Sequence, residues 1–182
     1  MADVTGKTVA FLLTDGYEDS ELTSPWQAVT RAGAKAVLVS PRAGRVGGKK
    51  GHSQAVDVPV AEADVSAYDA LMLPGGTANA DALRMNGDAV AFTRSFFTEH
   101  KPVGVICHGA WILADADVLD GRTLTSFPSL RTDMRNAGAT WVDEEVVVDE
   151  GLVSSRTPAD LPAFNDTFVE EVMEGKHAGQ TG

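Results

Sequence analysis

Val103-Gly-Val-Ile-Cys-His-Gly-Ala-Trp-Ile-Leu-Ala114 is the stretch whose reading decides the fold. Val103 to Ile106 is short and apolar, as a strand buried on both faces of a parallel sheet must be. Ala110 to Ala114 reads as helix. A strand that gives way to a helix within a few residues thrusts the residue at the break, here Cys107, into the cleft above the sheet. Working outward, Asp88 to His100 has the pattern of an amphipathic helix, with Val90, Phe92, Phe96 and Phe97 on its apolar side and Lys101-Pro102 as its stop. Ala70 to Pro74 is a second buried strand ended by Gly75-Gly76, and Lys7 to Thr14 is a third, ended by Asp15-Gly16. A helix from Ser20 to Ala32 closes at Gly33, and Ala36 to Ser40 forms the next strand, stopped by Pro41. Gln54 to Val60 alternates weakly, as a minor or edge strand does.

The C-terminal third keeps the rhythm. Thr123 to Phe127 reads as strand, and Ser129 to Ala137 as a helix closed by Gly138. Glu145 to Asp149 and Leu152 to Ser155 flank Glu150-Gly151, the spacing of a hairpin with a two-residue turn. Pro158 to about Glu174 is the last helix, opened by Thr157, and 175–182 is expected to be a loose tail. Strands alternating with helices predict an α/β fold: a doubly wound, mostly parallel sheet sandwiched by helices, with a small β-hairpin in the C-terminal third, all in a single domain over 1–182. In such sheets ligands bind beyond the carboxyl ends of the strands.

Composition narrows the function. The 182 residues carry 15 basic and 26 acidic side chains, a net charge of −11, which repels phosphate backbones and argues against nucleic-acid binding. No apolar run approaches the ~18 residues that span a bilayer. Met1 to Gly6 lacks a signal layout, and a lone cysteine suits a reducing compartment, so the expected location is the cytoplasm. The four histidines, at 52, 100, 108 and 177, have no paired ligand spacing, so neither a metal nor a cofactor is expected. Arg42 to Lys50, with four basic residues among glycines, reads as a flexible, solvated loop.

Three candidate pieces fall at carboxyl ends of predicted strands: Asp15-Gly-Tyr17-Glu18, Pro74-Gly75-Gly76 and Cys107-His108-Gly109. On the elbow, ahead of a helix, Cys107 should have its thiol pKa lowered by the unpaired N–H groups and the helix dipole. His108 is the natural general base, although adjacent residues on an elbow usually point apart, so its action need not be direct. From the residues alone, Glu18 is also consistent with a solvated first-turn acid, and Cys107 with a small buried hydrophobe.

Val105-Ile-Cys-His-Gly109, Asp15-Gly-Tyr-Glu-Asp-Ser-Glu-Leu22 and Leu73-Pro-Gly-Gly76 together resemble the PfpI branch of the DJ-one/PfpI superfamily. Asn136-Ala-Gly-Ala139, Trp141 to Asp149 and Ser154 to Leu161 are similar to that branch's C-terminal segments. The resemblance implies a flavodoxin-like sandwich with Cys107 as nucleophile, Glu18 against its sulfur, and backbone N–H groups of Gly76 and His108 as an oxyanion pocket. It further implies that an acid from a neighbouring subunit, matching Asp81, pairs with His108, so that the site is completed in a homodimer or larger homo-oligomer. Thr77 to Arg84 is one residue longer than the family's usual pattern. The family's Cys-His-Gly-Pro-Gln is here Cys-His-Gly-Ala-Trp, which makes Trp111, with Tyr17 and Gly75, a candidate lining residue. The implied activity is a stress-response hydrolase of glyoxalase or deglycase type, acting on methylglyoxal or its protein adducts. An intracellular cysteine peptidase and a non-catalytic sensor of oxidation at Cys107 are the alternatives. A glutamine amidotransferase would need a downstream His-x-Glu, and His177 is followed by Ala178-Gly179 instead.

Overall fold

The computed structural model describes residues 2–180. Thr8–Leu12 (β1) leads through Asp19–Arg31 (α1) to Lys35–Ser40 (β2). Arg45–Gly47 (β3) and Ser53–Ala55 (β4) form an antiparallel pair of their own, followed by Val58–Pro59 (β5). Ala70–Leu73 (β6), Thr77–Arg84 (α2), Gly87–Thr98 (α3), Val103–Ile106 (β7) and Trp111–Asp115 (α4) make up the middle of the chain. Thr123–Leu124 (β8), Arg131–Asn136 (α5), Thr140–Trp141 (β9), Val147–Asp149 (β10), Leu152–Ser155 (β11) and Leu161–Glu174 (α6) complete it.

Seven strands build the main sheet in the order β10-β11-β7-β6-β1-β2-β5. Only β10 runs antiparallel to its neighbour, so this is the mostly parallel, helix-covered α/β sheet expected from the alternation of elements. Side chains alternate across the pleat. Ala10, Leu12, Leu71, Leu73 and Val105 face α2, α3 and α4, while Val9, Phe11, Leu13 and Met72 face α1 and α6. Both faces are apolar because both are covered. The hairpin turn puts Glu150 at φ 46° and Gly151 at φ 84°, the paired positive values that a two-residue turn of primed type requires.

Three expected elements differ. Thr123 to Phe127 is a strand only over Thr123–Leu124, paired with β9 outside the main sheet. β10 already occupies the edge of β11, and the Thr125 N–H donates to the Ser154 hydroxyl at 3.0 Å instead of joining a ladder. Gln54 to Val60 splits into β4 and β5, because Asp57 turns its carboxylate to the Leu38 N–H at 2.8 Å and its own N–H to the Leu38 carbonyl at 2.9 Å. The basic stretch is not a free loop: it is the β3–β4 hairpin, tied to Asp15 and Asp19. In the tail, the His177 N–H donates to the His100 carbonyl at 2.9 Å and Gln180 is buried; residues 181 and 182 lie outside the described residues. Among the described residues no helix is long and apolar enough to cross a membrane.

Candidate active site

β1, β6 and β7 are neighbours in the sheet, so the loops beyond their carboxyl ends lie side by side. Cys107 directly follows β7 with φ 61°, in the left-handed region that costs a non-glycine residue about 1–2 kcal/mol. The surrounding contacts hold it there. Its carbonyl accepts from the Phe127 N–H at 3.1 Å, and any side chain at Gly109 would collide with the Leu73 carbonyl of β6. The elbow is therefore pressed against the Pro74-Gly75-Gly76 loop.

Glu21 stands against the sulfur. Wholly buried in the first turns of α1, it reaches the Cys107 thiol, and its Oε2 accepts from the Gly75 N–H at 2.7 Å. A Cβ at Gly75 would overlap that carboxyl oxygen and come within 2.9 Å of the Cys107 Cβ, so only glycine admits the contact. Burial pushes the Glu21 carboxyl up to about 8, against the downward pull of the Gly75 N–H. Glu18, the acid the resemblance assigns to this contact, is turned away. Its carboxylate is held by Lys49 at 2.5 Å and Lys50 at 2.7 Å. Burial alone would raise it, and the two ammonium groups overturn that and hold it below the ordinary carboxylate range. Position on the helix explains the exchange: Glu18 is the residue before α1, and Glu21 lies one turn in, on the stripe of Pro25 and Val29 that packs inward.

The thiol also departs from expectation. Burial, and then the charge of Glu21, push Cys107 up to about 12. The lowering expected from a helix dipole is small here, because one 3₁₀ turn and the five-residue α4 follow the cysteine. A carboxyl that titrates near 8 is neutral at pH 7, so its repulsion is then absent and its O–H is a donor for the sulfur. The backbone N–H groups of Gly76 and His108 reach the sulfur as well and favour the thiolate.

The His108 ring does reach the cysteine: its Nδ1 lies 3.4 Å from Sγ. The ring stacks on Phe127 at 4.6 Å, and Nε2 meets the Ser129 hydroxyl at 3.2 Å. The tautomer with Nε2–H donating to Ser129 leaves Nδ1 as an acceptor facing the thiol. Burial, and next the charge of Lys49, lower the His108 pKa, so the ring is neutral at pH 7. Asp81 is exposed on α2, and within the chain it is Ser129 that holds the second ring nitrogen. Trp111 does stand beside the site, edge-on to His108 at 6.3 Å, with the Arg84 guanidinium 4.5 Å over its ring. Tyr17 meets the Gly76 loop by its main chain, and its side chain is engaged elsewhere. Fully buried, its hydroxyl meets His52 Nδ1 at 2.7 Å and pins the β3–β4 hairpin.

Two supporting residues carried no signal of their own in the sequence. Asn79, fully buried, accepts from the Thr14 N–H at 2.7 Å and donates to the Pro74 and Gly75 carbonyls at 3.1 and 3.0 Å, which locks the 74–76 loop to the end of β1. Ser129 comes from a 3₁₀ turn 21 residues beyond His108. Glu21 did leave a trace: an acid on the apolar stripe of a helix is costly unless it has a task.

The site is thus a single thiol on a strained strand-to-helix turn of an α/β sheet, flanked by an imidazole, a neutral carboxyl and two N–H donors. The chain belongs to the DJ-1/PfpI family, whose model matches residues 7–171. It is similar to "Protein/nucleic acid deglycase 2" of Escherichia coli (strain K12), 48% identical over 162 residues that cover 87% of this chain and 94% of that protein. "General stress protein 18" of Bacillus subtilis (strain 168) is 46% identical over 163 residues, 88% of this chain and 94% of that one. Among solved structures, a two-domain protein from Anabaena variabilis with DJ-1/ThiJ/PfpI-like and ferritin-like domains superimposes with a TM-score of 0.89 at 34% identity, over 97% of this chain and 50% of that chain.

Proposed function

We propose that this protein is a cysteine-dependent enzyme of the stress response that converts reactive carbonyls such as methylglyoxal, free or as adducts, to the hydroxy acid. The observation that carries the reading is the convergence on one sulfur of His108 Nδ1, the Glu21 carboxyl and the Gly76 and His108 N–H groups. Relatives named for deglycase and stress functions support it.

The chemistry follows from the protonation states. At pH 7 the site holds a thiol, a neutral carboxyl and a neutral imidazole. As Sγ bonds to the aldehyde carbon, Nδ1 takes the thiol proton, so no standing thiolate is needed. The two N–H groups meet the charge growing on the carbonyl oxygen, which then takes the proton from His108 to give a hemithioacetal. His108 next removes the hydrogen from C1 and returns it to C2, while the C1 hydroxyl proton passes to the C2 oxygen; C1 is oxidised as C2 is reduced, and a lactoyl thioester results. Water cleaves the thioester, releases lactate and restores the thiol. No external oxidant or reductant enters.

Lactate formation from methylglyoxal by the wild type, beside Cys107→Ala and Glu21→Gln, tests this. Turnover is expected in the wild type and absent in Cys107→Ala. Equal idleness of all three overturns the carbonyl reading and turns attention to peptide cleavage, whose extended substrate fits a thiol only 8% exposed poorly. The resemblance's remaining expectation, an Asp81 from a neighbouring copy acting on His108, is carried here as part of the proposal. An Asp81→Asn variant should then lose a few fold of activity only where the protein assembles.

A further inference from the structure

The basic hairpin is the feature of the sequence that the chemistry above leaves unused. In a chain of net charge −11, Lys49 and Lys50 stand together on Glu18, the residue next to the Gly75-Gly76 loop. They are held from several sides. The Lys49 N–H donates to the Tyr17 carbonyl at 2.9 Å, the Gly48 N–H to the His52 carbonyl at 2.7 Å, and Asp19 accepts from the Lys50 and His52 N–H groups at 3.2 and 2.9 Å. The lysine side chains are exposed by 51% and 64% and reach over a Glu18 side chain exposed by 6%. Two positive charges on one negative leave an excess of one. The other nearby acids are engaged: Asp15 with Arg42 and the Gly47 N–H, and Asp19 with the loop backbone.

The link to the site is short. The Glu18 N–H donates to the Gly75 carbonyl at 3.2 Å, and a Cβ at Gly76 would come within 2.7 Å of the Glu18 nitrogen. The residue that seats both lysines is thus bonded to the loop that supplies the oxyanion N–H. The charge of Lys49 is felt at Cys107, Glu21 and His108. Glu18 itself shows what the pair takes: a carboxylate, gripped by one ammonium on each oxygen.

We propose that Lys49 and Lys50, seated on Glu18 against the Gly75-Gly76 loop, form a subsite for an anionic group, carboxylate or phosphate, on the compound that Cys107 attacks. This deepens the functional reading above and rests on its assignment of Cys107 as nucleophile. Glu18 competes for the lysines, so it sets how strongly an incoming anion is held.

Iodoacetate and iodoacetamide test it, because they differ by one charge and react with the same thiolate, so the thiolate fraction cancels in their rate ratio. Cys107 is the single cysteine, and the mass of the intact chain reads its alkylation without ambiguity. At low ionic strength the iodoacetate-to-iodoacetamide ratio should be about 3- to 10-fold higher in the folded protein than in the same chain in denaturant, and should decline towards 0.15 M salt. Glu18→Gln should raise the ratio further, and Lys49→Ala with Lys50→Ala should bring it down to that of the denatured chain. A ratio that none of these variants moves, or that Glu18→Gln lowers, overturns the proposal. Phosphate and acetate at matched ionic strength identify the source of the anion: slowing of iodoacetate by phosphate alone points to phosphate-bearing compounds, and slowing by acetate as well to carboxylates. Slowing by neither overturns a binding subsite. Failure to turn over methylglyoxal, with the ratio behaving as expected, removes the substrate reading and leaves the subsite standing. A Cys107 that neither reagent alkylates overturns both.

Discussion

Glu18 and Glu21 lie three residues apart at the start of one helix, and nearly everything about them differs. Glu18 precedes the first turn, is ion-paired to two lysines and sits below the ordinary carboxylate range. Glu21 is wholly buried, has a thiol and one N–H as partners, and is raised to about 8. Both lose water; what separates them is whether a cation compensates for it. A carboxylate given two ammonium groups stays charged and becomes an anchor. A carboxyl denied them keeps its proton and becomes a donor beside the Cys107 thiol.

The largest effect that could break this comparison is catalytic. Glu21→Gln should lower kcat/KM for methylglyoxal by about 100-fold, through loss of the O–H that it donates to the sulfur, while Glu18→Gln should cost less than about fivefold. A Glu18→Gln that is the more damaging variant, by the same lactate assay, would return the catalytic role to the residue the resemblance first indicated.

Stability against pH should separate the two acids by sign. Glu21 is raised in the folded state, so its protonated form stabilises the fold fully below about 4.5, and that contribution is lost as pH climbs towards 8. The wild type should therefore lose ground to Glu21→Gln between those limits, by on the order of a few kcal/mol. Glu18 is lowered, so its contribution is present at neutral pH and lost as pH falls through its folded pKa. Chemical denaturation of the three proteins at pH 5, 7 and 8.5 checks both slopes, and parallel curves would remove the contrast.

A smaller, structural effect sharpens the picture of how Glu21 is held. Asn79→Ala leaves the Thr14 N–H and the Pro74 and Gly75 carbonyls without their partner, which should cost about 1–3 kcal/mol. Because it frees the loop that carries Gly75, iodoacetamide should also alkylate Cys107 at a changed rate. An unchanged rate at reduced stability would confine Asn79 to a purely structural part.

How much of this was legible in the chain depends on how local the cause is. The elbow could be read because a strand, Cys107-His108-Gly109 and a helix follow one another within a dozen residues, and the hairpin could be read from Glu150-Gly151 for the same reason. The parallel sheet followed from alternating apolar runs and amphipathic helices. Trp111 was flagged as a departure from pattern, and it does stand beside His108. By contrast, Glu18 and Glu21 are both acids at the start of one helix, and the place of Glu21 on the apolar stripe hints at burial without naming its partner. Choosing between them requires knowing that Gly75 arrives from β6, 54 residues away, to meet Oε2, and that Lys49 arrives from the β3–β4 hairpin to claim Glu18.

The sequence by itself determined the order of elements, the covered parallel sheet and the placing of a single cysteine at the end of a central strand, because periodicity and turn chemistry act over a few residues. Only the tertiary structure decided the charge states around that cysteine: which acid is neutral, which is paired, and why the thiol is raised rather than lowered. Those depend on burial and on partners brought from distant loops, and a dielectric environment is a property of the packed molecule, not of any stretch of chain.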